Sequence, residues 1–287
     1  MIQDLVLNHS FFMYTVITLI SLAVGSLLNV IIYRLPIMLQ AEWREQCCEL
    51  LEIKDKEEHR KINLFLPRSF CPNCKTLVKA WQNIPIISYI FLRGRCYQCK
   101  YPISIRYPFV EFLTMILSLY ASWHFGFTVQ LPFVLFALWL LIPLIFIDLE
   151  YQLLPDCLTL GFLWLGLIAN TQNLFVTLPI AVLSCAGAYV GLWLFIQLFY
   201  LITGKVGMGH GDFKLFAAFG AWFGWIYLPL ILLLSSITGA VIGMIYLHVN
   251  NKTRDTTIPF GPFLCLSGLV ALFWGKSIID WYLHLWL

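Results

Sequence analysis

The feature that most constrains this chain is a series of long apolar segments separated by short polar ones. Eight such segments lie at residues 11–33, 109–125, 131–147, 158–169, 178–202, 215–227, 229–249 and 258–274. About 20 apolar residues in a helix cross the hydrocarbon core of a bilayer. Because 60% of the residues are hydrophobic and only 11% are charged, a water-soluble domain is excluded. The sequence predicts an all-α polytopic membrane protein with about eight transmembrane helices.

The charged residues are concentrated in one insert after the first apolar segment. Between Arg34 and Arg106 lie 13 of the 18 Lys and Arg residues and seven of the 15 acidic residues. We therefore predict a first transmembrane helix at 1–33, a small polar domain at 34–107 and a membrane domain of about seven helices at 108–287. Within the insert, residues 40–61 are predicted to form an amphipathic helix.

The distribution of basic residues predicts the orientation in the membrane, because Lys and Arg are enriched in cytoplasmic loops. If the insert is cytoplasmic, alternation through eight spans places 17 of the 18 basic residues inside and only Lys276 outside. Both termini then face outward, and segments 148–156 and 204–214 lie at the cytoplasmic edge. The net charge of +3 is too balanced to indicate a nucleic-acid partner.

Two acidic residues stand out at that edge. Asp148 follows an apolar segment and precedes Pro155, which ends a helix because it has no backbone N–H to donate. Asp212 follows the alternating glycines of 207–211, and an irregular backbone at membrane depth is tolerated only where it lines a cavity. For Asp148 alone, a solvated cap is an equally good interpretation.

Taken together, Asp148 and Asp212 predict a catalytic pair. Two close carboxylates share one proton, because both cannot ionise cheaply. One then activates water while the other protonates the scissile carbonyl or the leaving amine, which is aspartyl-protease chemistry. Two other classes stay open at this point. A transporter would use paired acids as a proton relay, usually near the bilayer midplane, and a membrane thiol oxidoreductase would need its cysteines on the oxidising side.

Four of the nine cysteines form two CxxC pairs in the polar insert, Cys71 with Cys74 and Cys96 with Cys99. With 21 residues between the pairs, the spacing is close to that of a zinc ribbon. In a reducing compartment this spacing favours zinc over disulfides. Four protein ligands leave no open coordination position, so the metal would be structural and would organise an insert too small to build a large core.

These motifs together resemble those of the type IV prepilin peptidases, aspartyl proteases with a G-x-G-D signature. The resemblance is carried by residues 25–36, the Cys-Pro-Asn-Cys and Arg-Gly-Arg-Cys-Tyr-Gln-Cys segments, residues 103–111, Asp148 and Gly209-His210-Gly211-Asp212. It implies that Asp148 and Asp212 are the catalytic residues and that Gly209 and Gly211 support their geometry.

The resemblance also implies an activity. Members of that family remove the basic leader of type IV prepilins and type II secretion pseudopilins at a Gly–Phe bond, on the cytoplasmic side of the bacterial inner membrane. Many then methylate the new amino terminus with S-adenosylmethionine, and both termini of this chain would be periplasmic. Candidates for binding the methyl donor or the pilin amine are Gly94, Arg95 and Glu111, although Glu111 is equally a cap paired with Arg106. The expected partners are these substrates and membrane lipid.

Overall fold

The computed structural model describes residues 2–53, 63–204, 208–250 and 258–284, with the backbone alone for 2–10. Within these ranges the chain is helical apart from the polar insert and short connections. The α-helices are α1 (Ile2–Leu50), α2 (Ile87–Phe91), α3 (Arg106–Phe125), α4 (Gln130–Tyr151), α5 (Asp156–Thr171), α6 (Leu178–Thr203), α7 (His210–Phe223), α8 (Leu228–Val249) and α9 (Gly261–His284). A 3₁₀ helix spans Ala80–Asn83. The predicted all-α class is confirmed.

Five of the described helices are long and apolar enough to cross a bilayer, which confirms a multi-pass membrane protein. These are the part of α1 from Phe11 onward, α4, α6, α8 and α9. Helices α5 and α7 have 16 and 14 residues. At 1.5 Å per residue they extend about 24 and about 21 Å, less than the roughly 30 Å of a hydrocarbon core. The count of eight spans stays a prediction.

The first helix is longer than the apolar segment that predicts it. Helix α1 runs unbroken from Ile2 to Leu50 and contains Pro36, so it continues past residue 33. The residues that follow Pro36 are mostly strong helix formers, which favours continuation. The exposed end of α1 covers the first half of the predicted amphipathic helix at 40–61, and residues 54–61 lie outside the described ranges.

The chain divides into two compact units, Met1–Pro143 and Leu144–Leu287. In the first unit, α1 packs against α3. A Cβ atom on Gly25 would lie 2.8 Å from Cα of Glu111, so a glycine is needed for the two helices to approach. One turn along, the Asn29 side-chain amide donates to the carbonyl oxygen of Tyr107 at 3.0 Å. Part of segment 25–36 therefore forms a helix-packing surface.

In the second unit, α7 is the buried central helix. It packs against α5, α6, α8 and α9, and every residue from Asp212 to Phe223 except Lys214 is buried. The ring of Trp222 stacks on that of Phe162 with 5.3 Å between centroids. The indole N–H of Trp222 donates to the Phe162 carbonyl oxygen at 2.8 Å. Buried α7 fixes the position of the acidic residue in its first turn.

The far end of α7 is held by one buried amide side chain. The Nδ2 group of Asn170 donates to the carbonyl oxygens of Ala221 and Trp222 at 2.8 and 3.2 Å. Its Oδ1 accepts the backbone N–H groups of Phe175 and Val176 at 3.1 and 3.0 Å. Because helix ends leave backbone groups without intrahelical partners, Asn170 ties the end of α5, the following loop and the end of α7 together.

Candidate active site and cysteine cluster

The first segment of the candidate site is the end of α4. This helix ends at Tyr151, before Pro155 as the sequence predicts, and Gln152 turns the chain with a φ of 52°. Asp148 lies in the last turn and is 5% exposed. Its Oδ2 atom has no hydrogen-bond partner among the described residues. The backbone N–H of Gly261 acts as a donor to the Asp148 carboxyl group, but a buried oxygen that is left without a partner of its own is costly.

The second segment is the start of α7. The helix begins at His210, which places Asp212 in its first turn. Oδ2 of Asp212 accepts the backbone N–H of Gly209 at 3.2 Å, and the side chain is 8% exposed. A carboxylate that reaches back to the start of its own helix satisfies an otherwise unpaired donor and interacts favourably with the helix dipole. Gly207 lies outside the described ranges.

Leu154 connects these segments by packing. A Cβ atom on Gly211 would lie 2.8 Å from Cβ of Leu154, and a Cβ atom on Gly261 would lie 3.0 Å from Cδ2 of Leu154. Leu154 is buried. The second glycine of the G-x-G-D motif is therefore required by space, because any larger residue at 211 would push away the segment that follows Asp148.

The two carboxylates lie in one buried region of the second unit. They are close enough for their charges to interact with each other and with the buried thiol of Cys265 in α9. Gly261 at the start of α9 also faces the pair, because a Cβ atom there would lie 2.6 Å from Oδ2 of Asp148. The structure thus brings together the two acids that the sequence predicts to pair, although they are 64 positions apart.

Helix α9 is the part of the site that the sequence analysis does not identify. Its start contributes Gly261, and Cys265 follows one turn later. The available signal is Pro259-Phe260-Gly261-Pro262, a cluster of turn residues that opens the last apolar segment. Such a cluster predicts a helix boundary, but it does not predict which acid will lie beside it.

One ion pair joins the starts of α5 and α7. The Lys214 ammonium lies 2.7 Å from both carboxylate oxygens of Asp156. The two side chains are 30% and 58% exposed, so solvent screens the interaction. The pair links the residue that opens α5 to the residue two positions after Asp212.

The four cysteines of the insert meet in one cluster in the first unit. Their Sγ atoms all lie within 4.8 Å of one another, with 3.7 Å between Cys71 and Cys99 and 3.9 Å between Cys74 and Cys96. Each pair stands on the same kind of turn. The N–H of Lys75 donates to the Cys71 carbonyl, and the N–H of Lys100 donates to the Cys96 carbonyl. Two matched turns that aim four thiols at one point fit a tetrahedral zinc ion.

The pKa values of three of the thiols differ within the cluster. The pKa of Cys74 is lowered to about 6 by the side-chain hydroxyl and backbone of Thr76, and the backbone of Cys99 lowers the pKa of Cys96. The pKa of Cys71 is raised to about 11, because the lowering effect of the Cys74 backbone is outweighed by burial and by neighbouring thiols. Crowded thiolates repel one another, and a divalent cation removes that repulsion by neutralising them.

The three remaining candidate residues have local structural roles. Gly94 has a φ of +66°, and a Cβ atom there would lie 2.8 Å from the Tyr89 hydroxyl. Arg95 forms a β-bridge with Pro102 in the second cysteine turn. Glu111 accepts the backbone N–H of Ile86 at 2.7 Å. These contacts account for the local structure at each of the three residues. Their role in binding a methyl donor or the pilin amine stays a prediction.

Fold and site together define a class: a multi-pass helical membrane protein with two buried aspartates near each other, one at the end of α4 and one at the start of α7. Residues 19–125 match the bacterial peptidase A24 N-terminal domain, and residues 135–244 match the type IV leader peptidase family. This chain belongs to the type IV leader peptidase family. The family predicted from the motifs is confirmed.

Individual relatives support the same assignment over the full length. The chain is 71% identical over 287 residues to a prepilin leader peptidase/N-methyltransferase of Legionella pneumophila, with 100% of both chains covered. It is 49% identical to a protein of that name from Stutzerimonas stutzeri, over 92% of each chain. It is 46% identical to one from Pseudomonas aeruginosa, over 98% of this chain and 97% of the relative. No solved structure matches the chain.

Proposed function

We propose that this chain is a membrane aspartyl endopeptidase that removes the leader peptide of prepilins and then methylates the new amino terminus. The observation that carries the proteolytic half is the proximity of the buried Asp148 and Asp212. Leu154 packs between Gly211, which precedes Asp212, and Gly261, which faces Asp148. Relatives named prepilin leader peptidase/N-methyltransferase, aligned over 92% or more of their length, support both cleavage and methylation. Asp148 and Asp212 are the proposed catalytic residues, and Gly209 and Gly211 support their geometry.

The two carboxylates share one proton during catalysis, because burial makes ionisation of both unfavourable. The ionised group takes a proton from water, whose oxygen attacks the scissile carbonyl carbon. The protonated group donates its proton to the carbonyl oxygen, which gives a neutral tetrahedral intermediate. The C–N bond then breaks as the leaving nitrogen receives a proton from one carboxyl group and the other carboxylate takes a proton from a hydroxyl of the intermediate. Leader acid and free amine are released, and the dyad again holds one proton. Asp148 Oδ2, which lacks a hydrogen-bond partner among the described residues, is available for these transfers.

The basic residues support a location for the cut. With 17 of 18 on one side under eight-span alternation, the dyad lies at the cytoplasmic edge of the bacterial inner membrane, with both termini periplasmic. A prepilin or pseudopilin held by its own apolar helix keeps its basic leader in the cytoplasm. Its Gly–Phe bond then reaches the membrane boundary where the dyad lies.

The cysteine cluster is proposed to hold one structural zinc ion through Cys71, Cys74, Cys96 and Cys99. The support is the donor set and the 4.8 Å limit on all Sγ separations, which together satisfy a closed tetrahedral site. When bound, the ion supplies folding free energy to the insert. S-adenosylmethionine is proposed as the methyl donor, and Gly94, Arg95 and Glu111 are the candidate residues for binding it or the pilin amine.

The test of the proteolytic assignment is cleavage of a synthetic prepilin in detergent by Asp148→Asn and Asp212→Asn variants. Asparagine keeps the shape of the side chain but cannot exchange a proton, so each variant is expected to lose cleavage. Asp280→Asn, at an exposed position in α9, is the matched control and should cleave like the wild type. Substantial cleavage by either dyad variant, with amounts of purified protein equal to the control, would refute the assignment.

A further inference from the structure

Gly261, at the start of α9, lies so close to Asp148 that a side chain at this position would overlap with the carboxyl group. A Cβ atom built there would lie 2.6 Å from Oδ2 of Asp148, 3.2 Å from Cγ of Asp148 and 3.0 Å from Cδ2 of Leu154. Contacts below about 3 Å lie inside the van der Waals distance of a carbon atom. Asp148 would therefore have to move if residue 261 carried a methyl group.

No positive φ requires glycine at this position. Glycines with φ in the left-handed range are Gly94, Gly126, Gly204 and Gly224 among the described residues, and Gly261 is not one of them. Gly261 precedes Pro262 in the first turn of α9, and a proline ring crowds the Cβ atom of a helical residue before it. A side chain at 261 would thus meet Pro262 as well as Asp148.

The crowded atom is also the one that the reaction needs. Oδ2 of Asp148 is buried and has no hydrogen-bond partner among the described residues, and the residue as a whole is 5% exposed. Since the backbone at 261 lies against this oxygen, a methyl group there would fill the volume beside it. The water molecule or the scissile carbonyl must approach the same oxygen for proton transfer.

We propose that Gly261 is a positioning residue for peptide cleavage, which by lacking a side chain keeps Oδ2 of Asp148 in its reactive place and open to the reacting atoms. This proposal rests on the proposed function of Asp148. It assigns to the start of α9 a third part in the active site, beside the end of α4 and the start of α7. Cys265, one turn further along α9, packs in the same region.

The test is steady-state cleavage by Gly261→Ala with Gly161→Ala and Gly187→Ala as matched controls. A Cβ atom at either control glycine would have no atom within 4 Å. A displacement of about 1 Å in a reacting group costs on the order of 10²-fold in rate, so kcat of Gly261→Ala should fall by about that factor. KM should stay unchanged, because binding of the substrate helix does not depend on Oδ2. The new contacts should lower the stability of the variant, so kcat is compared per folded molecule in detergent.

A double variant separates the dyad from simple packing. Leu154→Ala combined with Gly261→Ala relieves the 3.0 Å contact with Leu154 but not the 2.6 Å contact with Asp148. We expect kcat of the double variant to stay low relative to Leu154→Ala alone. Recovery to the level of Leu154→Ala, or loss of folded Gly261→Ala protein that Leu154→Ala restores, would assign a packing role and overturn the proposal.

The outcome is distinguishable from failure of the proposed function. If Asp148→Asn still cleaves, the dyad assignment itself is wrong. If Asp148→Asn is inactive while Gly261→Ala cleaves with the kcat of the control glycine variants, the dyad stands and the positioning role of Gly261 is refuted. A rise in KM with unchanged kcat would also refute it, because that pattern reports lost substrate binding.

Discussion

The cysteine cluster is formed by one short stretch of chain, whereas the carboxylate site is formed by three helices that are far apart in the sequence. The cluster uses four thiols within 29 consecutive residues, 71–99, and two short turns with the same hydrogen-bond pattern. The carboxylate site uses α4, α7 and α9, whose contributing residues extend from Asp148 to Cys265. The first is local and partly exposed, whereas the second is buried and depends on helix packing. A metal site can therefore be specified by the spacing of its ligands, whereas a buried acid pair needs the whole helical unit.

The largest effect is expected at the cysteine cluster. Cys71→Ser or Cys96→Ser removes one of four thiolate ligands, and structural zinc contributes about 10–16 kcal/mol of apparent binding free energy in small zinc domains. We expect purified variants to lose their zinc completely by metal analysis and to expose the insert to limited proteolysis. Cys47→Ser, at an exposed cysteine outside the cluster, is the control. Wild-type protein without zinc would refute the site.

The next largest effect is expected at the carboxylate site, where the two glycines of the G-x-G-D motif can be compared. A Cβ atom on Gly211 would meet Leu154 at 2.8 Å, whereas one on Gly209 would have only an ordinary 3.4 Å contact with Asp212. Gly211→Ala should therefore reduce kcat for prepilin cleavage by on the order of 10²-fold, as expected for displaced reacting groups. Gly209→Ala should reduce it far less. Equal losses in both variants would show that space beside Leu154 is not the reason for the second glycine.

A smaller effect is expected where the helical unit is held far from the acids. Asn170→Ala leaves backbone groups at the end of α7 and in the loop after α5 without their side-chain partner. At about 1–3 kcal/mol for each buried group left unpaired, we expect a clearly lowered unfolding temperature. Cleavage per folded molecule should stay near wild type. Gln172→Ala, at a neighbouring exposed position, is the control, and an equal unfolding temperature for both variants would contradict the role of Asn170.

The smallest effect concerns the ion pair between Lys214 and Asp156. Since both side chains are partly exposed, replacement by Lys214→Met should change the free energy of unfolding by no more than about 1 kcal/mol. High salt should reduce the difference from wild type, because it screens exposed charges. A loss of several kcal/mol that persists in high salt would show that the pair acts as a buried structural link.

The sequence was informative where a motif is contiguous or where a helix end has a chemical cause. The CxxC spacing predicted the four-thiol cluster, and Pro155 predicted the end of α4 just after Asp148. Helix lengths were harder to predict. The apolar segment 215–227 suggested a span, yet α7 begins at His210 and ends before Gly224, whose φ is +73°. Polar residues at the start of that helix carry no hydropathy signal, although they cap it well.

What the sequence determined by itself is the class, the location of charge, and the identity of the acids and thiols, because composition, spacing and motif act over short stretches of chain. Only the tertiary structure decided which atoms lie against Asp148. Gly261 follows it by 113 positions, and nothing in either segment signals the other. A Cβ atom on Gly261 would lie 2.6 Å from Oδ2 of Asp148. This closeness results from helix packing, which depends on side chains distant along the chain.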